Sequence, residues 1–502
     1  MTSPQWLYSV EQARALDALS IAQGTSGYTL MRRAGEAALR VLRSRWPRAL
    51  QICVVTGGGN NGGDGYVLAR FAQAAGLSVR VLAVVAPEAL KGDARIACDE
   101  FRAAGGRIEP YSAAALEGEV LVDALLGTGL SAAVRAPLAA AIEHMNASGR
   151  PVLSLDVPSG LDADSGAVLG AAVTADCTIS FVALKTGLFL NAGPERAGRL
   201  LFDDLGVSVP DEPRFRPVIE RLGEADVLRA LPARQRDANK GDFGRVLIIG
   251  GGPGMPGALR LAGEACLRSG AGLVTVATWP DNLSSIVSGR PELIVHGVRG
   301  VGELEPLLQN ATVLAVGPGL SRTPWARELL QRALTSSLPL VLDADALNLI
   351  AEQGLRAPAG AVLTPHPGEA ARLLGISATA VQADRMGALS RLCEAHPGAV
   401  LVLKGAGTLI GCSTAAGPSP PGPPVASLCE RGNPGMAAAG MGDVLTGAIA
   451  GILAQCRDPW LAARAGVMAH ALSGDELARE RERGILALEL AEGLSHWVNL
   501  KR

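Results

Sequence analysis

Asp64 and Asp443 stand in the two stretches of this chain whose residue types and spacing could do chemistry. The first stretch is Thr56-Gly57-Gly58-Gly59-Asn60-Asn61-Gly62-Gly63-Asp64-Gly65. The second is Gly432-Asn433-Pro434-Gly435-Met436, followed by Gly440-Met441-Gly442-Asp443. Each follows an extended segment and opens into a helix-like run. Glycine leaves backbone N–H groups free to approach an anion, and a helix N-terminus adds a favourable dipole. An aspartate beside them can act as a base or a ligand where phosphate oxygens would lie. Two such stretches imply two sites for phosphorylated small molecules.

The elements that must position these residues are legible as apolar runs. Gln51 to Thr56, Val79 to Val85, Val120 to Ala124 and Val152 to Asp156 predict strands, as does Thr178 to Val182, and Tyr66 to Ala75 predicts a helix. Runs without alternation belong to strands covered on both faces, as in a parallel sheet. Asp123 and Asp156 then fall at the C-terminal strand ends, where ligands bind in open α/β sheets. The pattern breaks between Asp203 and Arg236, a stretch holding Pro210, Pro213, Pro217 and Pro232. A second series predicts strands at Gly244 to Gly250, Leu273 to Ala277, Thr312 to Val316, Leu340 to Leu342, Ala361 to Thr364 and Val400 to Leu403. Ser413 to Pro424, rich in Pro, Gly and Ser, reads as a surface loop or hairpin tip. The expectation is an α/β protein of two three-layer αβα domains, residues 1–215 and 225–502.

Composition narrows the function. The chain has 502 residues, 48% of them hydrophobic, with 46 basic against 48 acidic side chains. No basic block interleaves with aromatics, so nucleic-acid binding is not expected. Eight cysteines lie singly, which suits reduced thiols in a cytoplasmic protein better than disulfides or zinc. No apolar run reaches membrane-spanning length and the N-terminus is not a signal peptide, so no membrane partner is expected.

The first stretch is neither a P-loop nor Gly-x-Gly-x-x-Gly. A tight turn is the plainer reading, although six glycines beside three polar residues exceed what a turn needs. Asp123-Ala124-Leu125-Leu126-Gly127-Thr128-Gly129-Leu130, Asp156-Val157-Pro158-Ser159-Gly160 and Lys185-Thr186-Gly187 converge on the same sheet edge. Asn61, Asp123 and Ser159 offer hard oxygen donors, suited to an alkali or alkaline-earth cation. Gly59 to Gly65, with the Asp123 and Asp156 segments, resembles the NAD(P)H-hydrate epimerase domain over about residues 10 to 213. The resemblance implies that Asn60, Asn61, Gly62, Gly63 and Asp64 bind the hydrated nicotinamide nucleotide. Gly127, Thr128, Gly129, Leu130, Ser131, Ala132 and Ala133 would complete the cradle. It implies K⁺ at Asn61, Asp123 and Ser159, with Asp156 as the catalytic, substrate-contacting residue. Where some relatives carry a lysine, this chain has Ala132-Ala133-Val134-Arg135.

In the second half, Gly440-Met441-Gly442-Asp443 matches the way ribokinase-type folds place an anion hole and a base. Lys404-Gly405-Ala406-Gly407-Thr408 at a strand end could wrap a nucleotide, or could be a strand-to-strand turn. Gly250 to Ala258, Gly317 to Leu320, Asp343 to Asn348 and Thr364 to Glu369 add further groups, His366 among them held between two prolines. Together these resemble the ADP-dependent NAD(P)H-hydrate dehydratase domain over about residues 225 to 498, with Ala439 where relatives often have glycine. The resemblance implies substrate contacts at Ala258, Gly319, His366 and Asp443, with Asp443 as base. ADP contacts would come from Lys404, Gly405, Ala406, Gly407, Thr408 and Gly442, with Mg²⁺ on the phosphates. The expected function is repair of NADHX and NADPHX: epimerisation, then dehydration of the S form with ADP giving AMP and phosphate, in a homo-oligomer. The alternative is a ribokinase-type small-molecule kinase behind a noncatalytic nucleotide-binding module.

Overall fold

The computed structural model describes residues 5–413 and 426–501. Contacts divide the chain into two compact units, Met1–Ile219 and Glu220–Arg502. The expected tip at Ser413 to Pro424 lies, from residue 414 on, outside the described residues.

The first unit is built on seven parallel strands. They are β1 (Gln51–Thr56), β2 (Ser78–Ala83), β3 (Ile108–Pro110), β4 (Val120–Ala124), β5 (Val152–Leu155), β6 (Cys177–Phe181) and β7 (Arg199–Asp203). Their order is β3-β2-β1-β4-β5-β6-β7, with Thr56 beside Ala124 in register. The chain winds outward from β1 and returns at β4, so the β1/β4 gap is the switch point where an open sheet leaves a crevice. Helices α1 (Val10–Ala22), α2 (Gly27–Arg45) and α3 (Asn60–Ala74) supply the elements that matter for its site.

The second unit follows the same logic with a different edge. Strands β8 (Arg245–Ile249), β9 (Leu273–Thr278), β10 (Ile294–Gly297), β11 (Val313–Val316), β12 (Leu340–Leu342), β13 (Val362–Leu363) and β14 (Val400–Leu403) run parallel. β15 (Thr408–Cys412) and β16 (Ala426–Cys429) then continue antiparallel. The order is β16-β15-β14-β13-β12-β11-β8-β9-β10, with the switch point at β8/β11. The two antiparallel strands are absent from the sequence expectation, because Thr408 to Cys412 is short and lies beside glycines. Helices α4 (Pro256–Arg268), α5 (Pro367–Leu374), α6 (Arg385–Ala395), α7 (Met441–Cys456) and α8 (Pro459–Ala478) pack on it. The largely buried α7 meets α4 closely, since a Cβ at Gly447 would stand 2.0 Å from the Ala262 carbonyl oxygen. Adding that methyl would overpack the interface, typically at about 1–3 kcal/mol. The α/β expectation, with helices on parallel sheets, is what the fold shows.

Candidate functional sites

In the first unit, α3 begins at Asn60, six residues before the expected start at Tyr66. Glycine is a poor helix former, which hid this turn and a half from sequence reading. Packing explains it. A Cβ at Gly62 would lie 2.4 Å from the Gly57 oxygen, one at Gly63 2.5 Å from the Met31 side chain, and one at Gly65 2.6 Å from the Ala124 Cβ. Gly62 and Gly63 therefore let the helix sit down on its neighbours, and they do not line the cavity beside it. Asn60, Asn61 and Asp64 do line it, aimed from the helix N-terminus.

That cavity, of roughly 860 Å³, is also walled by Gly127, Thr128, Gly129, Leu130, Ser131, Ala132, Ala133 and Asp156. The Arg14 guanidinium holds the 127–133 loop by donating to the Thr128 carbonyl at 2.8 Å. Asp156 follows β5 with φ at +64°, a left-handed conformation that aspartate tolerates better than most residues. The turn aims its carboxylate at Lys185. That ammonium donates to Asp156 Oδ1 at 2.5 Å and to the Phe181 carbonyl at 2.7 Å. Asp17, from α1, also lines the cavity. Burial pushes the Asp17 carboxyl up to about 6. Burial, and then the negative charges of Asp156 and Asp17, hold Asp64 well above the carboxylate range. Three of the carboxylates that line the cavity, Asp17, Asp64 and Asp156, thus feel one another and the Lys185 ammonium. Asp17 was missed because it lies in an ordinary helix with no motif. Lys185 was legible in Lys185-Thr186-Gly187 at the ligand edge of the sheet, but its pairing with Asp156 was not.

Beneath the cavity floor, Asp123 accepts from the Ser154 hydroxyl and the Ser159 N–H, each at 2.8 Å, and from the Ser159 hydroxyl at 2.5 Å. Asn61 donates its Nδ2 to the Leu126 carbonyl at 3.0 Å. Its Oδ1 is buried with no hydrogen-bond partner among the described residues. Ser159 donates to the same Leu126 carbonyl, so the orphaned Asn61 oxygen, the Asp123 carboxylate and the Ser159 hydroxyl offer an all-oxygen donor set of the kind that fits a hard alkali or alkaline-earth cation.

In the second unit, Gly319 (φ +57°) follows β11 and abuts α4, where a Cβ would lie 3.2 Å from that of Ala258. Gly440 (φ +87°) caps α7, placing Met441, Gly442 and Asp443 in its first turn. Lys404 reaches this N-terminus: a Cβ at Gly442 would be 3.2 Å from its Nζ. The ammonium donates to Asp343 Oδ1 at 2.8 Å and lies 3.9 Å from Glu369. The Thr446 hydroxyl holds the other Asp343 oxygen at 2.8 Å. Burial acts to lower the Lys404 pKa, but the carboxylates of Asp343 and Glu369 outweigh it and the net shift is upward. Burial, then the charge of Asp343, pushes Asp443 up to about 7. Among the described residues the Asp443 carboxylate has no hydrogen-bond donor. His366 caps α5 as the acceptor of the Gly368 N–H at Nδ1, 2.9 Å. Its Nε2 is 3.4 Å from Glu369, and burial followed by Lys404 lowers its pKa. His366, Lys404, Gly442 and Asp443 thus form one cluster, joined by Asp343, Glu369 and Thr446. Ala258 and Gly319 form a separate pair at the same sheet edge. Lys404 to Thr408 is a strand-to-strand turn, since Leu403 pairs with Leu409 across the hairpin.

Fold and sites define an open-sheet α/β protein with an acidic, lysine-centred site at the strand ends of each unit. Residues 246–496 match the family described as NAD(P)H-hydrate dehydratase, and residues 27–187 match the YjeF-related protein N-terminus. The bifunctional NAD(P)H-hydrate repair enzyme of Coxiella burnetii is 48% identical over 98% of this chain and 99% of its own length. That of Escherichia coli is 43% identical over 95% of this chain and 90% of its own. The chain belongs to the family of bifunctional NAD(P)H-hydrate repair enzymes. Among solved structures, the ADP/ATP-dependent NAD(P)H-hydrate dehydratase from Bacillus subtilis, crystallised with ATP and Mg²⁺, is 30% identical. It aligns with 55% of this chain and 96% of its own at a TM-score of 0.47.

Proposed function

We propose that this chain repairs hydrated NADH and NADPH in two steps. The first unit interconverts the R and S hydrates, and the second dehydrates the S form with ADP. The observation that carries the second step is Asp443: a carboxylate with no hydrogen-bond partner among the described residues, at a helix N-terminus, with its pKa raised to about 7. Such a group is poised to take a proton from a hydroxyl. Transfer of the terminal phosphoryl group of ADP to the C6 hydroxyl gives AMP and turns a poor leaving group into phosphate. Phosphate leaves C6 and a proton leaves C5, restoring the dihydronicotinamide. Gly442 and the Lys404–Thr408 turn receive the nucleotide, while Ala258, Gly319 and His366 contact the hydrate. Among the described residues no group of three or more His, Cys, Asp or Glu is arranged to hold a metal. Mg²⁺ would sit on the phosphates of ADP and offset their charge.

In the first unit the hydrate is a carbinolamine. The ring nitrogen expels the C6 hydroxyl, giving a planar iminium, and water returns from either face. Asp156 shuttles the proton and Lys185 holds its carboxylate in place. Asn60, Asp64 and the 127–133 loop bind the nucleotide. Asn61, Asp123 and Ser159 would hold K⁺, which supplies fixed positive charge there. We place the protein in the cytoplasm as a homo-oligomer. No described helix is long and apolar enough to cross a membrane. Supplying mixed hydrate epimers with ADP and Mg²⁺ tests the reading: absorbance of the reduced ring should return as AMP and phosphate form in step. A stable phosphorylated product would instead make the second unit a small-molecule kinase.

A further inference from the structure

Arg385 opens α6 and is buried, with 3% of its surface exposed. It points under the Lys404–Thr408 turn. One guanidinium nitrogen donates to the Leu403 carbonyl at 3.2 Å and the Gly407 carbonyl at 2.9 Å. The other donates to Gln382 Oε1 at 2.9 Å and reaches the Lys404 carbonyl at 3.5 Å. Its Nε is buried with no acceptor among the described residues. A Cβ at Gly405, where φ is +146°, would stand 2.6 Å from the guanidinium, so the turn lies directly on it. Among the described residues no carboxylate pairs with Arg385. Arg464, equally buried, behaves differently, and donates to Asp226 and Glu220 at 2.6 Å each.

A buried cation without a counter-charge is costly, and folded proteins normally pair it. Burial lowers the Arg385 pKa only to about 10, so it stays charged at neutral pH. Lys404 cannot be the unspent charge of this turn, because Asp343 already neutralises it. No carboxylate of the described residues answers this charge, which leaves it for an anion that lands on the turn.

We propose that Arg385 is a positioning residue that holds the Lys404–Thr408 turn in its receiving shape and lends it a positive charge answered by the phosphates of the bound nucleotide. This rests on the nucleotide reading of the turn. Calorimetric titration of the full chain with ADP tests it, using R385Q and R385K. R385Q should weaken ADP binding about tenfold or more, the scale of one charge-assisted contact. R385K, which keeps the charge, should lose less than R385Q. At saturating ADP both variants should turn over hydrate at near wild-type kcat with an unchanged hydrate KM. Equal loss in the two variants, or a folded R385Q with wild-type ADP affinity, overturns the proposal. If R385Q does not fold, R385K decides: a loss of ADP affinity smaller than about tenfold supports it, and a loss of about tenfold or more overturns it. Failure of the wild-type protein to bind ADP would remove the nucleotide reading itself, a separate outcome from wild-type binding that R385Q leaves unchanged.

Discussion

Both sites gather several carboxylates around one lysine, yet the two lysines are held differently. In the first unit Lys185 is tied to the carboxylate proposed to react, Asp156. In the second, Lys404 is tied to Asp343, whose other oxygen is taken by Thr446. The carboxylate proposed to react there, Asp443, has no donor among the described residues. The first arrangement fixes the carboxylate proposed to react against an ammonium. The second suits a base whose proton affinity is raised to near 7 by burial and by like charge. The same residue types thus give two differently held carboxylates, according to which one the ammonium claims.

The comparison breaks most visibly at Asp443. Asp443→Asn should lower dehydration of the S hydrate by on the order of 10² to 10⁴, the usual effect of losing a positioned proton-transfer group. Exchange of R and S should continue. Dehydration at the wild-type rate would end the assignment.

Asp156→Asn should do the reverse, slowing epimerisation by a comparable ~10² to 10⁴. In a mixture, the S fraction should be consumed and the R fraction should then lag in a slow second phase. A second phase as fast as wild type would mean that Asp156 carries no catalysis.

The pH dependence sharpens the contrast. Asp443 must be ionised to act, so kcat/KM for dehydration should rise with pH and level off above about 7. A profile flat from pH 5.5 to 8 would contradict this. The stability sign follows from the same shift. A carboxylate whose folded pKa is raised favours the protonated fold, so stability is present at low pH and falls as pH rises from its ordinary range through about 7. Asp443→Asn should therefore raise Tm relative to wild type at pH 8 and not at pH 4. Equal differences at both pH values would show that Asp443 is not the group responsible.

The smallest effect concerns the oxygen donors under the first site. Replacing K⁺ by a bulky organic cation should slow epimerisation several-fold and leave dehydration of purified S hydrate untouched, a loss smaller than removal of a proton carrier. Asn61→Ala, which removes the orphaned Oδ1, should abolish that response. Retention of the full K⁺ effect by Asn61→Ala would place the ion elsewhere.

Much of this molecule was determined by sequence alone. Apolar runs such as Val120 to Ala124 and Val400 to Leu403 mark buried strands because a strand covered on both faces has no reason to alternate. Asp123 and Asp156 at strand ends locate one site, and Gly442-Asp443 before an apolar run locates the other. What sequence could not decide was pairing across distance. The helix starting at Asn60 was hidden because glycine's low helix propensity is overridden by close packing on Gly57 and Met31. Asp17 joins Asp64 on one wall only because α1 is brought to that cavity. Whether Lys404 neutralises Asp343 or Asp443, and whether Arg385 finds any carboxylate, depends on a few ångströms between side chains far apart along the chain. Residue type and local spacing carry the chemistry a site can hold, whereas the proton affinity and the free charge of each group follow from burial and neighbours that only the tertiary structure assembles.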